Sequence, residues 1–85
     1  MQSQEFTLNE NFVPLIEFFK LRVLYFNIEI QNFQSEALEF TLRNGGDVVI
    51  RVPNKSVTTR ENFPLVGTLY GRCTSGAAPI SIDIW

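Results

Sequence analysis

The chain has 85 residues, 45% of them hydrophobic, with eight Phe, one Cys and no His. That length holds one small core, and a lone thiol without imidazole excludes an intramolecular disulfide and all but excludes a structural zinc site. A net charge of −2, with seven dispersed Lys and Arg, argues against phosphate-backbone binding.

The start, Met-Gln-Ser-Gln-Glu, lacks the cationic-then-apolar order of a secretory signal. Residues 12–30 form the longest near-apolar stretch, but Glu17, Lys20, Arg22, Asn27 and Glu29 interrupt it, so it does not read as a transmembrane helix. The expectation is a soluble, cytoplasm-made single β domain over residues 1–85. With neither disulfide nor metal to supplement so small a core, self-association or docking on a partner is expected to supplement it.

In chain order, residues 4–8 form a strand candidate with Phe6 and Leu8 on one face, closed by Asn9-Glu10-Asn11. Residues 12–21 read two ways. Phe12, Leu15, Ile16, Phe19 and Val23 fit a helical stripe, whereas Pro14 and the density of aromatics favour an extended chain. Residues 24–31 alternate clearly, with Leu24, Phe26, Ile28 and Ile30 on one face. Leu21 and Val23 hold the opposite phase, which predicts a bulge near Val23 if the strand is continuous.

After a loop at 32–36, residues 38–52 predict a hairpin. Leu38, Phe40 and Leu42 alternate with Glu39, Thr41 and Arg43; Val48, Ile50 and Val52 alternate with Asp47, Val49 and Arg51. A three-residue Asn44-Gly45-Gly46 turn with Gly46 at positive φ opposes Leu38 to Val52, Phe40 to Ile50 and Leu42 to Val48. The same register sets Glu39 against Arg51 and Arg43 against Asp47, so hydrophobicity and charge select one pairing. Pro53-Asn54-Lys55-Ser56 turns the chain, and 57–60 can add an edge strand. Asn62-Phe63-Pro64 leads into a strand over 65–73 carrying Gly67 and Gly71, and Thr74-Ser75-Gly76 is a turn. Residues 78–85 end as a strand with Ile80, Ile82 and Ile84 inward and Ser81, Asp83 and Trp85 outward. The fold class is all-β: a small antiparallel β-sandwich or barrel of about six to eight short strands.

No residue set specifies a reaction. Cys73 has no histidine to activate it and reads as a buried strand residue. Glu29, Glu39 and Asp83 could in principle pair as acid and base, but each lies on the polar face of a predicted strand. Ser75 lacks a partner, and Asn44-Gly45-Gly46 lacks the lysine and helix of a phosphate cradle. Tyr25, Tyr70 and Trp85, with Lys20, Arg22 and Arg72, could stack and neutralise single-stranded nucleic acid, against which stands the acidic balance. No catalytic, cofactor-binding or metal-binding residue is expected, nor any cofactor. The candidate interface residues are Phe12, Phe18, Phe19, Tyr70 and Trp85. A single strand cannot turn adjacent Phe18 and Phe19 to one face, so one must point away from its own sheet, and terminal Trp suits either a staple or a subunit contact.

From Leu24 onward the chain resembles small bacteriophage virion proteins of the capsid decoration and head-fibre type. The residues carrying this are Ile28-Glu29-Ile30-Gln31-Asn32, Pro64-Leu65-Val66-Gly67-Thr68-Leu69-Tyr70, Thr74-Ser75-Gly76 and Ile80-Ser81-Ile82-Asp83-Ile84-Trp85. The segment before Leu24 departs from that pattern and is either an anchor to a partner or another strand. The resemblance implies a non-enzymatic component of the virion, located in the capsid and bound to the major capsid protein. By analogy with decoration proteins the homo-oligomer expected from the short, unstapled, Phe-rich chain is foremost a trimer, while the acidic balance and the interrupted apolar stretch leave nucleic acid and membrane out of the expected partners. The alternatives are a small phage-encoded regulator that binds a host protein and a single-stranded nucleic-acid-binding domain.

Overall fold

A computed structural model describes residues 2–18, 22–42 and 46–85, with the backbone alone for Gln2. The strands are β1 (Gln2–Leu8), β2 (Val13–Glu17), β3 (Leu24–Asn32), β4 (Leu38–Thr41), β5 (Val48–Val52), β6 (Ser56–Leu65), β7 (Thr68–Cys73) and β8 (Ala78–Ile84). The described residues form no helix, and hence none long and apolar enough to cross a membrane. Two four-stranded antiparallel sheets stack, one ordered β1-β8-β3-β6 and the other β2-β7-β4-β5. The expected all-β sandwich is therefore the fold.

The chain is one long antiparallel ribbon folded in half at the β4–β5 hairpin, because β3 pairs with β6, β2 with β7 and β1 with β8. Every connection except that hairpin crosses from one sheet to the other. Eight strands so arranged form a jelly roll. Lateral pairs β3–β8 and β4–β7 close the sheets.

Period-2 alternation sends Ile28, Ile30, Leu38, Phe40, Ile50, Val52, Leu69, Ile80, Ile82 and Ile84 into one buried cluster between the sheets. Gly71 faces this core too. A methyl there would lie 2.8 Å from Phe40 Cε1 and 3.0 Å from Leu15 Cδ1, so the glycine lets the Phe40 ring lie against the strand.

The ambiguous segment is extended over β2, with a register shift between Pro14 and Ile16. Residues 2–17 thus supply two strands of the sandwich. In the hairpin, Leu38 opposes Val52, Glu39 opposes Arg51 and Phe40 opposes Ile50, as predicted. The predicted Leu42–Val48 pair does not form, because Thr41 takes Val48 and leaves Val49 as the extra residue of a bulge. Val48-Val49-Ile50 contains no polar residue to fix its phase, so the slip turns Val48 outward, 43% exposed. Arg43, Asn44 and Gly45 lie outside the described residues, and with them the expected Asn44-Gly45-Gly46 turn, the Arg43–Asp47 pair and the φ of Gly46, which depends on the position of Gly45.

Two further expectations are corrected and one, the edge strand, is borne out and extended. Val23 precedes β3, and the bulge falls between Phe26 and Ile28, where β6 carries the extra residue and Asn62 has φ +51°. The Asn27 side-chain carbonyl accepts the Asn62 N–H at 3.0 Å, which holds that left-handed backbone. The edge strand runs well past 57–60, over the whole of β6. Residues 65–73 are not one strand: Gly67, at φ +73°, turns the chain between β6 and β7, a conformation a side chain would resist.

Candidate functional site

The outer face of the β2-β7-β4-β5 sheet gathers most of the ordered surface chemistry. Leu69, Gly71 and Cys73 point inward on β7, so Tyr70 and Arg72 point out; on β4 and β5 the same rule turns Glu39 and Arg51 to the outer face. Register places Glu39 opposite Arg51 on one side and Arg72 on the other. Arg72 donates from Nε and Nη2 to Glu39 Oε1 at 2.9 and 2.7 Å. Arg51 Nη1 stands 3.9 Å from Glu39 Oε2, and its side chain is 66% exposed against 14% for Glu39. The guanidinium of Arg72 also lies 4.5 Å from the centre of the Phe12 ring, within cation–π range. A row Phe12, Arg72, Glu39, Arg51 thus crosses the sheet with its charges held by one another.

Beside it, Tyr70 stands in register with Pro14 and with Thr41, which in turn opposes Val48. Thr41, expected on the polar face, is fully buried there, while Val48 and Val49 are exposed. The face is therefore a fixed charged row flanked by apolar and aromatic side chains.

Of the five candidate interface residues, Phe12 and Tyr70 share this face. Phe18 follows β2 and packs against the core, its ring centroid 5.8 Å from that of Phe26; its amide donates to the Gly67 carbonyl. Phe19 lies outside the described residues. Trp85 follows β8 on the other sheet, 44% exposed, and exchanges backbone hydrogen bonds of 2.8 and 3.0 Å with Asn27.

The residues weighed for chemistry do not assemble. Cys73 is buried, its Sγ 3.4 Å from the Gly76 carbonyl oxygen and 3.7 Å from that of Leu8. Glu29 and Asp83 are direct neighbours on β3 and β8, whereas Glu39 sits on the other sheet. Thr59 donates its hydroxyl to Glu29 at 3.3 Å. Ser75 is exposed in its turn, and Tyr25, 63% exposed, lies on β3 opposite Pro64, apart from Tyr70. Among the described residues, no three His, Cys, Asp or Glu side chains cluster to hold a metal ion.

Asn32, expected in the 32–36 loop, organises one end of the sandwich. Asn32 is fully buried. Its Nδ2 donates to the carbonyls of Glu36 (2.7 Å), Pro53 (3.0 Å) and Val52 (3.4 Å), and its Oδ1 accepts the Gln34 amide at 3.0 Å. The signal was present, since an asparagine closing a strand in phase with Ile28 and Ile30 must be satisfied inside. No family model matches the chain, and no curated protein matches its sequence.

Proposed function

We propose that the chain is a non-enzymatic structural protein of a bacteriophage virion, a homo-oligomer that docks on the capsid through the outer face of the β2-β7-β4-β5 sheet and stabilises or decorates it. The observation that carries this reading is the pre-paired charged row on that face. Glu39 is satisfied by Arg72 before any partner arrives, so covering the row costs less desolvation than covering a bare carboxylate. The flanking Phe12, Tyr70, Val48 and Val49 supply apolar and aromatic area of the kind that interface cores bury. The jelly-roll architecture, which also builds viral capsid domains, and the resemblance of residues 24–85 supply the virion setting, both by analogy. Such a protein works by burying surface between subunits, without chemistry and without a cofactor.

Sedimentation tests both parts of the proposal. Purified protein alone is expected to run as an oligomer at micromolar concentration, a trimer foremost. Mixed with capsids of the virus that encodes it, it is expected to pellet in stoichiometric proportion to the major capsid protein. A chain that stays in the supernatant in the presence of capsids overturns the docking, and a monomer in free solution overturns the self-association.

A further inference from the structure

The opposite sheet carries a second surface of different chemistry. Glu5, Ser81 and Gln31 stand side by side in one row across β1, β8 and β3. Thr7 and Pro79 oppose each other in the next row, and Phe33 follows β3 at the same end. Together these six line a groove of about 480 Å³, within the range of small-molecule sites. Strand spacing gives its floor an extent of roughly 10 by 7 Å, the footprint of one or two sugar rings.

Three features define what the groove would take. Among the described residues, nothing hydrogen-bonds to the side chains of Glu5, Thr7, Gln31 or Ser81. A carboxylate, an amide and two hydroxyls from three strands thus line one face of the groove with their hydrogen-bonding capacity free. Phe33 is 71% exposed, an apolar ring at the edge of a polar site. No Lys or Arg lines the groove, and the row beyond it carries Asp83 opposite Glu29, so a phosphate or other anion would meet repulsion.

We infer that this groove binds a neutral saccharide, the aliphatic face of a sugar ring lying on Phe33 and Pro79 while its hydroxyls bond Glu5, Gln31, Ser81 and Thr7. A sugar combines one apolar face with many uncharged donors and acceptors, which matches this mixture. An apolar ligand would leave four polar groups unpaired on closure. Asn32 bonds Gln34 and Glu36 and so holds the loop that starts at Phe33. The groove belongs to the sheet that capsid docking leaves uncovered, so the two readings stand or fall separately.

The test is an amide NMR titration of the purified protein with chitotetraose, maltotetraose, cellotetraose and mannotetraose at millimolar concentration, with inorganic phosphate as the anionic probe. At least one saccharide should shift the amides of residues 5–7, 31–33 and 79–81 and leave the β2-β7-β4-β5 sheet unmoved. Phe33→Ala should weaken that binding about tenfold, the share of an aromatic platform, at an unchanged thermal midpoint. Glu5→Gln, at an exposed position, is the second variant and should alter affinity without touching the core. Silence with all four saccharides overturns the inference. So do shifts confined to other residues, a stronger response to phosphate, or equal binding by Phe33→Ala.

Discussion

Asn32 concentrates more structural consequence than any other polar side chain described. It sits at the end of β3 with four backbone groups around it, three carbonyls and one amide. Removing its side chain would strip the buried Val52 carbonyl and the half-buried Glu36 carbonyl and Gln34 amide of this partner, the expensive direction of hydrogen-bond loss, while the Pro53 carbonyl would keep the Ser56 hydroxyl at 2.8 Å. Asn32→Leu, similar in volume, is therefore expected to destabilise the protein by about 3 kcal/mol in urea unfolding at constant m. A loss below about 1 kcal/mol would mean that water replaces the amide. Asn32→Asp exchanges two donors for a charge facing three carbonyl oxygens, and should be worse than leucine.

Among the elements, the β4–β5 hairpin shows how far a sequence carries and where it stops. Leu38, Glu39 and Phe40 and their partners alternate with opposite charges in phase, so their register was readable. Val48-Val49-Ile50 reads equally well in either phase, and the bulge there was not. The Val66-Gly67 turn hid within an apolar run, where Gly67 passed for a strand glycine. Of the candidate site, Phe12 and Tyr70 were found as aromatics, but the fixed row they flank was only half visible. Glu39–Arg51 follows from hairpin geometry, whereas the stronger partner Arg72 arrives from a strand 33 residues away. The two arginines should separate in measurement. Arg72→Ala loses two charge-assisted bonds and the Phe12 contact and should cost about 1.5 kcal/mol, while Arg51→Ala, exposed and at 3.9 Å, should stay within about 0.5 kcal/mol. A double-mutant cycle with Glu39 checks the ranking, and equal couplings would sink it.

At the scale of the whole molecule, the two surfaces lie on opposite sheets, so one sandwich can be covered on one side and open on the other. The pairing of β1 with β8 sets strands from opposite ends of the chain side by side, Gln2 against Ile84, and β8 also separates β1 from β3. Judged by sequence separation alone, such a topology should fold slowly, because closing a long loop costs entropy before any contact rewards it. The folded-in-half ribbon offers a way around that cost. Once β4–β5 forms, β3 and β6 have only short connections left to close, then β2 and β7, then β1 and β8, so each step is nearly local to the last. The chain can zip from its middle outward. On that route, substitutions at Phe40 or Ile50 should slow folding with φ-values well above those for Phe6 or Ile80, whose loss should instead speed unfolding. The hairpin that alternation made legible would then also be the segment the chain commits to first.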